Sequence, residues 1–174
     1  SQGSAGGGEE EVSLEALLVS ANPVLEAFGN AKTLRNDNSS RFGKLVTVNF
    51  DPSGRISGAF TRNYLLERTR CASPPEGERN YHSFYQLLAG APSATHKRLG
   101  LASVQPTDYT LLARSSCAKV ESIDDASEWR DTLKAAKSLG FADEEIEMMA
   151  DVLGGLLHLG NAEFVAESTQ HGDD

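Results

Sequence analysis

The stretch Asn36-Asp37-Asn38-Ser39-Ser40-Arg41-Phe42-Gly43-Lys44 decides how the chain is read, because one hydrophobic periodicity ends before it and another begins after it. Extended back to Asn30 it runs NAKTLRNDNSSRFG, almost without large apolar residues and rich in side chains that bond to their own backbone. A polar loop is expected. Two hydroxyls, a guanidinium and a carboxamide are concentrated there, a set suited to facing phosphate. Binding a triphosphate with magnesium needs a hydroxyl on the metal, small donors near the terminal phosphate, and an ordering contact that is lost on hydrolysis. Ser40, Ser39 and Arg41 could supply one each. A solvated Asx and Ser turn leading into a strand would use the same residues.

Upstream of the loop, Leu14, Leu17, Leu18, Ala21, Leu25 and Phe28 fall on one face at helical spacing. Pro23 fits the first position of a helix with Asn22 as its cap, so two short helices are expected, the second stopped by Gly29. Downstream the period drops to two. Val46, Val48 and Phe50 face one way and Leu45, Thr47 and Asn49 the other, and Asp51-Pro52-Ser53-Gly54 supplies a turn before residues 55–65 return. The rest is helical by pattern, through Tyr81, Phe84, Tyr85 and Leu88, then Ala126, Trp129, Leu133 and Ala136, then Ile146, Met149, Leu153, Leu156 and Leu157. Gly90, Gly140 and Gly160 sit where these helices should stop. Two strands alone are marginal in water, so the hairpin's neighbours are expected outside this chain.

Composition narrows the function classes. In 174 residues, 16 Lys and Arg stand against 25 Asp and Glu, a net charge of -9, and no basic run offers a nucleic-acid surface. No apolar run approaches the roughly 20 residues of a membrane-spanning helix, and the N-terminus does not read as a signal peptide. A soluble, intracellular chain is expected, with Cys71 and Cys117 as reduced thiols. The polar stretches at residues 1–11 and 167–174 read as a linker or surface loop and as a loop, the two ends of an excised segment. Residues 12–166 read as one partial domain.

Catalytic signatures are mostly missing. GxxxxGK[ST] needs a glycine where Asn38 stands and a hydroxyl where Leu45 stands. Asp51 to Gly54 matches DxxG only formally and reads as a turn. His82, His96, His158 and His171 do not pair at ligand spacing, and there is no GxSxG elbow. His82, His158 and the aromatic trio Tyr81, Phe84 and Tyr85 are expected to pack or hydrogen-bond. The pairs Asp124, Asp125 and Glu144, Glu145 are expected to serve helix N-termini.

The longer context resembles the myosin motor domain. The segment from Asn22 to Thr33 (NPVLEAFGNAKT), followed by residues 36–44, resembles the family's lead-in and switch I loop. Ile56-Ser57-Gly58-Ala59, Tyr64-Leu65-Leu66-Glu67, the run ERNYHSFYQLLAG from Glu78 to Gly90, and Leu156-Leu157-His158-Leu159-Gly160-Asn161 follow in the family's order. Kinesins share an SSR element but continue it with Ser-His, where this chain has Phe42-Gly43-Lys44.

The resemblance runs from about Val12 to Phe164 and implies an α/β fold: a fragment of a P-loop NTPase-type motor domain, with a β-hairpin of a central mixed sheet and a mostly helical layer. By position Ser40 would ligate Mg2+. Ser39 would lie against the terminal phosphate of ATP and the attacking water, Asn36 would bond phosphate oxygens, and Arg41 would pair with a switch II glutamate outside this chain. The parent would be an actin-activated ATPase, with actin filaments and light chains or calmodulin engaged by other segments, placed in the cytoplasm on the cytoskeleton. A non-catalytic interaction or scaffold protein that had lost its P-loop is the alternative. Departures from the family pattern are Asp37, expected to face solvent, and Ala142, which leaves Glu145 as half a capping box. Gly154 and Gly155 are expected to allow a close backbone contact.

Overall fold

The amphipathic stripe at Leu14 forms α1, Leu14–Ser20, and the restart at Pro23 forms α2, Asn22–Gly29. The computed structural model describes residues 14–165, so the expected linker at 1–11 and loop at 167–174 lie outside the described residues. Asn22 is not the cap. Ala21 occupies that place in helical conformation, and bonds from Ala21 N–H to Leu17 O and from Leu25 N–H to Ala21 O carry the chain almost continuously from one helix into the next. Pro23 still sits in the first turn, where its missing N–H breaks no bond. The Asn22 side chain instead accepts from Lys44 Nζ at 3.0 Å.

The polar stretch after Gly29 is more ordered than a loop. Its two ends pair as short antiparallel strands, β1 (Asn30–Ala31) and β2 (Ser39–Ser40), with Asn30 opposite Ser40 and Ala31 opposite Ser39. Burial drives this, because Asn30 and Ala31 are in the core and their backbone groups need partners. Ala31 bridges to Tyr81 as well.

The expected hairpin follows as β3, Gly43–Phe50, and β4, Ile56–Tyr64, antiparallel with Leu45 opposite Arg62 and Val48 opposite Ala59. Asp51 closes its turn by accepting from the Ser53 and Arg55 N–H groups at 2.8 and 2.9 Å, and Gly54 takes the left-handed φ of +82° that the turn requires. Leu45, Phe50 and Phe60 remain 56%, 63% and 60% exposed. The pair has no further strand among the described residues.

The helical layer is built around α4, His82–Gly90, whose residues from His82 to Leu88 are all buried. Its polar residues His82, Ser83 and Gln86 are buried along with its apolar ones, so it must be covered all round. It is covered by α2, by α7 (Asp125–Ser138) and by α8 (Asp143–Gly160). Phe84, Tyr85, Leu87, Leu88, Leu112, Trp129, Leu153 and Leu157 form the core, confirming Phe84 and Tyr85 as packing residues. At Gly90 a Cβ would stand 2.5 Å from Trp129 Cβ, so the absent side chain lets α4 and α7 approach. Asp124 caps α7 by accepting from Ser127 N–H at 3.0 Å, and Glu145 accepts from Ala142 N–H at 2.8 Å as the expected half box. Gly154 lies close against Leu99, but Gly155 faces open space, so the expected close contact belongs to Gly154 alone. The short helices α3 (Thr69–Ala72), α5 (Ser93–Arg98) and α6 (Thr110–Ala113), with a 3-10 turn at Pro106–Asp108, were not visible in the periodicity. No described helix is long and apolar enough to cross a membrane.

Candidate functional site

The site begins at Gly29, where α2 ends against the returning chain. A Cβ there would fall 2.4 Å from the Phe42 ring, and Gly29 O accepts from Arg41 N–H at 2.8 Å, so glycine lets the far end of the polar segment dock on the helix terminus. The segment is then stiffened from within. Thr33 N–H donates to Asn36 O at 2.8 Å, Asn36 N–H to Thr33 Oγ1 at 3.2 Å, and Asn38 N–H to Asn36 Oδ1 at 2.9 Å, an Asx turn. Asn38 is gripped on both sides, accepting from Asn30 Nδ2 and donating to Glu26 Oε2, each at 2.9 Å.

On this frame the candidate residues come together. Ser39 is half-buried and its Oγ accepts from Arg41 NH1 at 3.3 Å; Ser40 is exposed and its hydroxyl donates to Phe42 O at 3.0 Å. Both lie on β2 rather than on an unpaired loop, but neither enters the core. Asn36 is exposed with its Oδ1 committed to the Asx turn. Asp37 is exposed as expected, and Ser122 Oγ donates to it at 2.6 Å.

Arg41 finds a carboxylate inside the chain. Its Nε donates to Glu67 Oε2 at 2.6 Å, while Glu67 N–H donates to Arg41 O at 3.0 Å. Glu67 stands 26 positions away, and nothing local in the sequence marks it as the partner of Arg41. Partial burial raises the Glu67 carboxyl, but the hydrogen bonds from Arg41 and Arg70 outweigh it and hold the group below the usual carboxylate range. The same balance of burial against Arg70 lowers Glu78.

Behind the segment lies a cavity of about 240 Å³, lined by Asn36, Asn38, Gln86, Glu128 and His82. His82 is buried as expected, but neither ring nitrogen has a partner, and burial, helped by Arg79, pushes its pKa down to about 4. His158 does hydrogen-bond, with Leu99 O at 2.8 Å. Asp125 does more than serve a helix end: Arg79, wholly buried and stacked 3.5 Å over Tyr85, holds it through two bonds of 3.2 and 2.7 Å. Cys71 and Cys117 are both free.

The segment therefore offers a surface hydroxyl, a second hydroxyl tied to a guanidinium, and a carboxamide, with Lys32, Arg35, Arg41 and Lys44 as local cations in an acidic chain. That set can meet an anion. Comparison with known proteins gives it a context. Residues 2–173 match the family model described as myosin head (motor domain). The chain is 50% identical over 147 residues to unconventional myosin-Ic of Danio rerio, covering 84% of this chain and 14% of that protein. It is 50% identical over 157 residues to myosin-5 of Arabidopsis thaliana, covering 90% of this chain and 10% of that one. It is 51% identical over 151 residues to myosin-14 of Arabidopsis thaliana, covering 87% and 10%. The chain thus spans only a small part of the length of the curated relatives it matches. With the family model matched over nearly its whole length and every second residue shared with these relatives, the chain belongs to the myosin head (motor domain) family.

Proposed function

We propose that this chain carries the nucleotide-sensing switch I segment of an actin-based motor ATPase, with the β3–β4 hairpin contributed to the central sheet of a P-loop NTPase-type fold completed by other segments. The observation that carries the reading is the arrangement of Ser39, Ser40 and Arg41, with one hydroxyl held by the guanidinium and the other, on an exposed residue, held only by the Phe42 carbonyl. The donors fit Mg2+ and ATP in part. A neutral hydroxyl oxygen is the kind of ligand magnesium accepts alongside phosphates and water, and one hydroxyl cannot hold the ion alone, so metal and nucleotide would arrive together.

Magnesium-bound ATP, when present, supplies the phosphorus under attack and neutralises charge on the departing phosphates. The chain's own residues would do the rest. Ser40 would give its hydroxyl to the metal, Asn36 would donate to phosphate oxygens, and Ser39 would lie against the terminal phosphate and the attacking water. Arg41 keeps Ser39 oriented and closes the segment, in concert with a switch II carboxylate elsewhere in the parent. Such preorganised donors in a closed site account for most of the acceleration in reactions of this kind. Actin filaments, light chains or calmodulin, and a cytoskeletal location in the cytoplasm belong to the same proposal.

The test uses the full-length parent. Ser40→Ala should weaken magnesium-dependent ATP binding in stopped-flow measurements while the protein melts at its usual temperature. Unchanged Mg2+ dependence would remove the reading and leave a non-catalytic scaffold role for the segment. A GxxxxGK[ST] element, if encoded upstream of Ser1, would support the motor over the scaffold.

A further inference from the structure

Residues 34–41 leave the body of the protein at Leu34 and return at Arg41, and a carboxylate holds each end. Glu78 Oε1 accepts from Leu34 N–H at 3.3 Å, and Glu67 Oε2 accepts from Arg41 Nε at 2.6 Å. One guanidinium lies between the two carboxylates. Arg70, 1% exposed, donates from Nε to Glu67 Oε2 at 2.7 Å and from NH2 to Glu67 Oε1 at 3.3 Å and Glu78 Oε2 at 2.8 Å. Its NH1 donates to Arg79 O at 2.9 Å, next to Arg79 N–H, which donates to Lys32 O at 2.9 Å.

We propose that Arg70 is a positioning residue that clasps both ends of the 34–41 segment and so sets where Ser39 and Ser40 stand. A guanidinium suits this task, because its donors point in fixed directions and can reach two carboxylates and a carbonyl at once, which a lysine ammonium on a flexible stem cannot. The four groups Arg41, Glu67, Arg70 and Glu78 balance in charge, so the buried cation is compensated only while both carboxylates stay in place. Loss of either one loosens Arg70 and therefore the opposite end. The short helix α3 that carries Arg70 is fixed to the same frame, since Tyr81 OH donates to Glu67 O at 2.7 Å just before it. Only the consequence for hydrolysis rests on the proposed function; the clasp itself does not.

The experiment is amide hydrogen exchange on the full-length parent, reading Leu34 and Arg41 with Leu87 in α4 as reference. Arg70→Lys should speed exchange at both Leu34 and Arg41 by at least about tenfold and leave Leu87 unchanged. Glu78→Gln should speed Arg41 as well as Leu34, Glu67→Gln should speed Leu34 as well as Arg41, and the double variant should fall short of the product of the two. Exchange that changes only at the mutated end, with a multiplicative double variant, overturns the clasp. The carboxamide variants decide this even if Arg70→Lys does not fold, because each keeps the side chain's shape. Single-turnover hydrolysis of MgATP by Arg70→Lys should slow by about tenfold or more with nucleotide binding retained. Coupled exchange with hydrolysis at the wild-type rate leaves the clasp standing and overturns the nucleotide reading instead.

Discussion

Arg41→Ala separates binding from chemistry, and the structure sets the size of each effect. Arg41 reaches Glu67 at 2.6 Å with the two side chains still 29% and 27% exposed, so solvent screens the pair. Exposed pairs of this kind contribute about 0.2 to 1 kcal/mol. Removing Arg41 does not strand its partner, because Arg70 still holds Glu67. The loss of stability should therefore stay near 1 kcal/mol, a fall of at most about 2–4 °C, and less in a parent larger than this chain. Function should respond differently, since Arg41 NH1 donates to Ser39 Oγ and fixes a hydroxyl proposed to face the reacting phosphate. We predict ATP affinity within about tenfold of wild type, or about 1.4 kcal/mol. The hydrolysis step should slow by about 10² to 10³, the usual effect of removing one preorganised electrostatic group. Stopped-flow binding, quenched-flow single turnovers and a thermal melt of the full-length parent measure all three. Hydrolysis at the wild-type rate would refute the role of Arg41, and a melt lowered by 10 °C or more would refute the argument that Glu67 keeps its compensation.

Three further outcomes are expected. His82 is held neutral by burial, with Arg79 adding to that effect and Asp37 opposing it, so its pKa falls from 6.5 to about 4. Between those values the unfolded chain binds a proton that the native chain does not. Stability should then decrease as pH falls through the window, by up to about 3 kcal/mol at 1.36 kcal/mol per unit, and level off below it. His82→Gln should flatten the slope between pH 6.5 and 4.5 in denaturant titrations, and an identical slope would sink the assignment. Gly90→Ala would place a Cβ 2.5 Å from Trp129 Cβ, and overpacking of about 1–3 kcal/mol should exceed the roughly 1 kcal/mol gained in helix propensity. A variant with a higher denaturation midpoint would contradict that. The chain expressed alone should self-associate through the exposed edges and faces of β3 and β4, where Leu45, Phe50 and Phe60 are uncovered; a monomer on size-exclusion chromatography with cooperative unfolding would argue otherwise.

Several elements were legible because their causes are local. A stripe recurring every three or four residues made α7 and α8 readable, alternation and an Asp-Pro-Ser-Gly turn made the hairpin readable, and both rest on chemistry within one or two turns of chain. The short helices α3, α5 and α6 escaped because four to six residues cannot display a period. Asn22 is not the cap because backbone hydrogen bonds through Ala21 carry α1 almost continuously into α2.

The order of residue types from Asn36 to Lys44 by itself marked a polar segment whose side chains could meet an anion, since hydroxyls, carboxamides and a guanidinium keep their hydrogen-bonding chemistry wherever they fold. Only the tertiary structure decided how that segment is held. Glu67 meets Arg41 from 26 positions away, Glu78 meets Leu34 from 44, and Arg70 becomes buried between those carboxylates although nothing in its own neighbourhood is apolar enough to foretell it. A carboxylate carries no local mark of which distant guanidinium it will face. That choice is made when the chain that follows β4 folds against the residues that precede α4, where Tyr81 OH donates to Glu67 O and Arg70 NH1 to Arg79 O, and charge is then paired there because an unpaired charge in that interior would be too costly to keep.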